Sequence, residues 1–205
     1  MKAALIVMAK APEPGFAKTR LIPALGAEGA AQLANRLLIH TMQTASHTHA
    51  FVQHELCLTP DRAQQAFDAR FSEQTSTWRI QPQGDGDLGQ RMQRAFARAL
   101  SEHDAAVLIG TDAPSLTAQQ LDQAAHDLAH HEAVFVPATD GGYALIGLKR
   151  PMPELFNEIA WSTSAVMAVT QSRLQTLGAL WHAYEPVHDI DEPDDLIHVP
   201  HGWLT

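Results

Sequence analysis

Two short, unbroken apolar runs constrain this chain more than any other feature: Ala3–Ala9 and Ala105–Gly110 (AAVLIG). Neither alternates polar with apolar residues, so neither suits a strand with one wet face. Both read as strands covered on two sides, the pattern of a parallel sheet with helices packed on either face. Each run ends in turn-forming sequence: Lys10 to Pro23 after the first, and Thr111-Asp112-Ala113-Pro114 after the second.

The remaining segments continue the alternation. Ala27–Ser46 carries Leu33, Leu37, Leu38 and Met42 at helical spacing. Phe51–Leu58 reads as a strand, and a short helix is expected from Pro60-Asp61 to about Phe71. Trp78–Gln81 suits a short strand and Leu88–Leu100 a helix. Thr117 with Gln120 three residues on is a capping box that opens another helix. Ala133–Pro137 and Tyr143–Leu148 read as strands, Ser164–Leu177 as a helix and Leu180–Val187 as a last strand. This order predicts a three-layer α/β/α arrangement around a mostly parallel central sheet. The short turn at Gly141–Tyr143 joins two strands directly and predicts a mixed sheet in the later half. At 205 residues the chain suits a single domain spanning 1–205.

The formal net charge of -9 disfavours nucleic-acid backbones and anionic membranes as partners. A phosphate-bearing small ligand stays compatible, because a metal ion and a few local cations can reverse the field at one site. Cys57 is the only cysteine, so no internal disulfide forms and a cytoplasmic setting is expected. Ala3–Ala9 is far shorter than the roughly 20 apolar residues of a membrane span.

In open α/β sheets, ligands bind beyond the carboxyl ends of the strands. Four polar clusters fall there. The first runs Lys10-Ala-Pro-Glu-Pro-Gly15-Phe-Ala-Lys18-Thr-Arg20. Its Gly turn and cations Lys10, Lys18 and Arg20 suit phosphate oxygens; a solvated basic loop is the alternative. The second, Gly84-Asp85-Gly86-Asp87-Leu88-Gly89, spells G-x-G-x-x-G. A dinucleotide fingerprint is disfavoured by its weak preceding strand and by Asp85 and Asp87. A wall against a base or ribose, built from Gly86, Asp87, Gly89 and Arg91, is the better functional reading. A helix-entry turn with an aspartate at the N-terminus is the structural one.

Asp112 is the third feature. A carboxylate at the end of a central strand projects into the crevice and suits Mg²⁺, which takes one or two carboxylates plus substrate phosphates. The fourth is His188-Asp189-Ile190-Asp191-Glu192. In extended chain Asp189 and Asp191 share a face while Ile190 points away. Paired carboxylates repel unless a cation lies between them, so a metal ligand pair is expected, with Asp191 as a helix N-cap before Pro193 as the alternative.

Three stretches together, "KAPEPGFAKTRL", "GDLGQRM" with "GTDAPSLT", and "DGGYALIGL…WST…DIDEPDDL", resemble the bacterial radical-SAM/selenodomain-associated transferases. These are glycosyltransferase-like proteins of the GT-A nucleotide-diphospho-sugar transferase type, and the likeness covers nearly the whole chain. The resemblance implies a nucleotide-sugar or nucleoside triphosphate donor, Mg²⁺ or Mn²⁺, and a small acceptor. It implies Asp112 as the metal aspartate and catalytic carboxylate, completed by Asp191 and Asp189. Lys18 and Arg20 would hold phosphates, and Gly86–Gly89 would line the nucleotide. Asp140, Gly141, Gly142 and Tyr143 would face the acceptor or sugar, with Asp140 as a candidate base. The loop departs from the nucleotidyltransferase pattern A-G-G-x-S-x-R-M, and Asp112-Ala113-Pro114 is a reduced D-x-D. Glycosyl transfer is the leading expectation, nucleotidyl transfer with release of pyrophosphate the second, and a non-catalytic nucleotide-binding protein the third.

Overall fold

The computed structural model describes residues 1–63 and 77–204. The expected short helix at 60–71 therefore lies largely outside the described residues. Among the described residues seven strands form one sheet: β1 (Ala3–Lys10), β2 (Phe51–Thr59), β3 (Trp78–Pro82), β4 (Ala105–Ile109), β5 (Ala133–Pro137), β6 (Tyr143–Leu148) and β7 (Trp181–Ala183). Their spatial order is β3-β2-β1-β4-β6-β5-β7. Every neighbouring pair is parallel except those of β6, which runs antiparallel to both β4 and β5. The mixed character expected around Gly141–Tyr143 is thus confined to one strand. Its consequence is functional. Reversing β6 brings Tyr143, its first residue, beside Pro137 at the carboxyl end of β5.

Side-chain alternation along β1 shows why helices cover both faces. Ala3, Leu5, Val7 and Ala9 pack with Leu38 and Met42 of helix α1 (Ile22–Ser46) and with Leu121 and Ala124 of α3 (Ala118–Asp127). Ala4, Ile6 and Met8 pack oppositely, with Met92, Ala95 and Phe96 of α2 (Leu88–Glu102) and Met167 and Leu174 of α4 (Val166–Thr176). Each large apolar side chain buried this way contributes about 1.5–3 kcal/mol. None of the described helices is long and apolar enough to cross a membrane.

Three boundaries differ from expectation for identifiable reasons. Helix α1 begins at Ile22, before the expected Ala27, because Pro23 suits a first turn and Gly26 (φ 71°, ψ 167°) then interrupts the helix. The strand expected over Leu180–Val187 is only Trp181–Ala183, with one further bridge from Val187 to Ala138. The cap before Pro193 is Glu192, whose box partner is Asp195, and not Asp191. A smaller core lies apart from the sheet. Leu21, Leu33, Leu37 and Ile190 pack together, joining the loop after β1 to the segment 189–191.

Candidate active site

A cleft of about 580 Å³ opens at the carboxyl ends of β1 and β4 and the start of β6. Lys10, Lys18 and Arg20 line it from the first loop, and Gly86, Asp87 and Arg91 from the second. Asp112, Asp140, Asp189 and Asp191 line it as well, with Gly142 and Tyr143. Five segments far apart in sequence therefore meet at one rim.

Ile190 fixes much of this convergence. Its side chain is fully buried in the satellite core, and its N–H donates to the Asp112 carbonyl at 2.8 Å. Asp189 and Asp191, on either side of it, line the cleft beside Asp112. Lys18 closes the arrangement. Its backbone is left-handed (φ 51°, ψ 43°), sparsely populated for a side chain with a Cβ. Its ammonium lies 2.6 Å from Asp112 Oδ1 and 3.7 Å from Asp191 Oδ1, and donates to the Ile190 carbonyl. The Lys18 side chain is only 7% exposed. Arg20 takes the other side of Asp191, donating to Oδ2 at 2.8 Å, and reaches Glu192 at 3.1 Å.

Asp189 is the carboxyl that carries the crowding. Burial first, then the charges of Asp140, Asp112 and Asp195, push it up to about 6. Among the described residues no three His, Cys, Asp or Glu side chains are placed to hold a metal ion together. The expected three-carboxylate set Asp112, Asp189 and Asp191 is therefore not a cage, because Lys18 and Arg20 already neutralise Asp112 and Asp191. The donor chemistry still fits Mg²⁺ or Mn²⁺. These ions take one or two carboxylates and draw their other ligands from phosphate and water, and the anionic crowding that raises Asp189 is what a divalent cation relieves.

The glycine-rich segment divides between structure and cleft. Asp87 is the N-cap of α2: its Oδ1 accepts from Gln90 N at 2.9 Å, while Gln90 accepts from Asp87 N at 3.0 Å. The structural reading of this turn therefore holds, although Asp87 also borders the cleft. Gly89 does not line the cleft. A Cβ there would come within 2.4 Å of the Phe156 carbonyl and 2.8 Å of the Trp161 indole, so glycine is what seats that ring. Gly141 plays the same part on the other side, where a Cβ would meet the Ser164 carbonyl at 2.3 Å. Gly15 supplies a positive-φ turn outside the lining. Asp140 folds back to accept from Gly142 N at 2.8 Å.

Among the lining residues to which the sequence reading gave no role, Gln83 and Trp161 stand out. Gln83 is buried and donates to the carbonyls of Ala9 and Cys57, both at 3.0 Å, while Arg91 reaches its Oε1 at 3.5 Å. Nothing in a lone glutamine before a glycine signals that role. Trp161 lines the cleft with an indole N–H that is buried and has no hydrogen-bond partner. The Tyr143 hydroxyl is in the same condition, and burial pushes its ionisation well above the usual tyrosine range. The only signal for Trp161 was its place in the WST triplet that the family resemblance includes, to which no role was attached.

The fold is α/β and matches that of nucleotide-diphospho-sugar transferase-like structures. Across 99% of this chain and 90% of the other, it superimposes with a TM-score of 0.88 and 27% identity on a candidate nucleotide-diphospho-sugar transferase from Desulfovibrio desulfuricans G20. More distant likenesses include CMP:2-keto-3-deoxy-manno-octonic acid synthetase complexed with CTP (TM-score 0.61, 15% identity, 97% of each chain). Rv0371C from Mycobacterium tuberculosis H37Rv, in complex with manganese, is similar at TM-score 0.59 and 15% identity, over 98% of this chain and 100% of that one. These two likenesses concern the fold. Residues 41–163 match the family described as "Uncharacterized protein conserved in bacteria (DUF2064)", and the chain belongs to that family. No curated protein matches it.

Proposed function

We propose that this chain is a metal-dependent glycosyltransferase that takes a nucleotide-diphospho-sugar donor. The observation that carries the reading is the meeting of Lys18 and Arg20 with Asp112, Asp189 and Asp191 at one cleft rim. A diphosphate is the ligand that needs both signs of charge at once: cations for its oxygens and carboxylates for the metal it brings. The manganese and CTP held by the two distant neighbours support this reading, as does the likeness to the Desulfovibrio protein.

In this scheme Asp112, Asp189 and Asp191 are the residues that would hold Mg²⁺ or Mn²⁺. Bound there, such an ion would supply positive charge where the leaving diphosphate becomes more negative. Lys18, Arg20, Lys10 and Arg91 meet the phosphate oxygens, and the Gly86–Asp87 wall borders the nucleotide. The bond from the anomeric carbon to the diphosphate oxygen breaks, and its electrons leave on the nucleoside diphosphate. An acceptor oxygen forms the new bond, and Asp140 takes its proton. Tyr143 and Trp161 face the sugar or acceptor. An unpaired buried donor costs about 1–3 kcal/mol, and a ligand oxygen would pair with either. The narrower resemblance to radical-SAM/selenodomain-associated transferases belongs to the same proposal.

Nucleotidyl transfer is the second reading, favoured by the likeness to a CTP-bound synthetase. Product analysis separates the two. Release of a nucleoside diphosphate from nucleotide-sugars supports sugar transfer. Release of pyrophosphate from nucleoside triphosphates supports the second reading and overturns the first.

A further inference from the structure

Lys18 does something that phosphate binding alone does not require. The partners recorded for its ammonium, Asp112 Oδ1, Asp191 Oδ1 and the Ile190 carbonyl, are all oxygens. An oxygen set of this kind, two carboxylates and a backbone carbonyl, is the kind a hard divalent cation takes. The side chain is 7% exposed, whereas the Arg20 side chain beside it is 49% exposed. The left-handed Lys18 backbone leaves the loop in a sparsely populated conformation held by tertiary contacts. Ala17 and Leu21 on either side are buried and anchor the loop, so the ammonium is placed and not merely tethered.

We infer that Lys18 is a built-in cation that occupies the metal position in the unliganded protein and leaves it only when phosphate arrives. An ammonium and a divalent ion cannot share Asp112 Oδ1, because like charges at contact distance repel strongly. Phosphate offers Lys18 and Arg20 alternative anions. Their transfer to phosphate releases Asp112 and Asp191 together, and the metal enters on the same event. Metal and nucleotide therefore bind as a pair, and metal alone binds weakly. The inference rests on the metal-dependent reading given above, and it adds the order of binding.

The test uses Mn²⁺ alone, with free ion followed by electron paramagnetic resonance, on the full chain. Lys18→Met should bind Mn²⁺ at least tenfold more tightly than the wild type. Adding Asp112→Asn to Lys18→Met should abolish that gain. Lys18→Gln, which keeps a polar side chain, serves as a second variant, and thermal melting checks that each is folded. Arg20→Gln removes an equal charge from the same rim without vacating Asp112 Oδ1, so its gain should stay under threefold. Equal Mn²⁺ affinity in the wild type and both Lys18 variants overturns the built-in cation alone. So does a gain in Arg20→Gln as large as that in Lys18→Met, which would mark a general charge effect. Failure of every variant to bind Mn²⁺, with or without CDP and GDP, overturns the metal-dependent reading and the inference together.

Discussion

Two clusters of opposite charge lie on different parts of this molecule. Behind the sheet, Glu55 of β2 is 3% exposed and pairs with Arg98 of α2 through two nitrogens, with Cys57 hydrogen-bonded to both partners. One charge meets one charge, and the Cys57 thiol is pushed far above its usual range, first by burial. At the cleft rim, Lys18 faces Asp112 and Asp191, while Asp189 is crowded by Asp140 and Asp112 and held up at about 6. The rear pair is closed and chemically quiet. The rim is open, and its four aspartates outnumber the two cations paired with them. Balanced buried charge suits a scaffold, and the unbalanced half-buried charge of the rim is what the proposed ligand site rests on.

The comparison breaks most visibly at Arg98. Arg98→Ala leaves the buried Glu55 carboxylate without its cation, with only the weak Cys57 thiol donor, and should cost about 3–5 kcal/mol of stability. Chemical denaturation measures that loss, and turnover per folded molecule should stay near the wild-type value. A variant that kept its stability would mean that the rear pair is not structural.

Ile190→Ala lies between the two regions. It opens a cavity among Leu21, Leu33 and Leu37 and should cost about 2–5 kcal/mol. Because Ile190 also sets the positions of Asp189 and Asp191, turnover should fall with it. Stability lost with activity intact would show that the satellite core does not position the rim.

Asp189 gives the smallest and most diagnostic effect. Its carboxyl holds a proton up to about pH 6 in the folded protein, against an ordinary value of 3.8. The favourable contribution is complete below the ordinary value and is lost as pH rises through about 6, so stability falls across that window. Asp189→Asn cannot ionise. It should melt level with the wild type at about pH 4 and higher at about pH 8. The group is half-buried and screened by solvent, so the gain should be near 1 kcal/mol, or about 2–4 °C. A melting curve unchanged by pH and by the variant would remove the crowding from the account.

Much of this was legible in the sequence, for physical reasons. Short unbroken apolar runs such as Ala105–Ile109, bounded by turn sequence, fit doubly covered strands, and the layered sheet followed from them. The placement of Asp112 followed from the rule that crevices open at strand carboxyl ends. Ile190 was read as pointing away from its neighbouring aspartates, and it is buried in the satellite core. What stayed hidden depended on contacts between distant segments. Pattern alone shows neither that Gly89 seats the Trp161 ring nor that Gly141 abuts Ser164. The pairing of Lys18 with Asp112 joins residues from different strand ends, and no local spacing encodes it.

The central claim is that the rim is a ligand site built around Asp112. The most direct measurement is the turnover of Asp112→Ala with a nucleotide-sugar and Mn²⁺, taken beside its melting temperature. The account predicts a loss of at least about 10²-fold, roughly 2.7 kcal/mol of barrier, with the fold retained. Turnover equal to the wild type in a folded Asp112→Ala protein would contradict it.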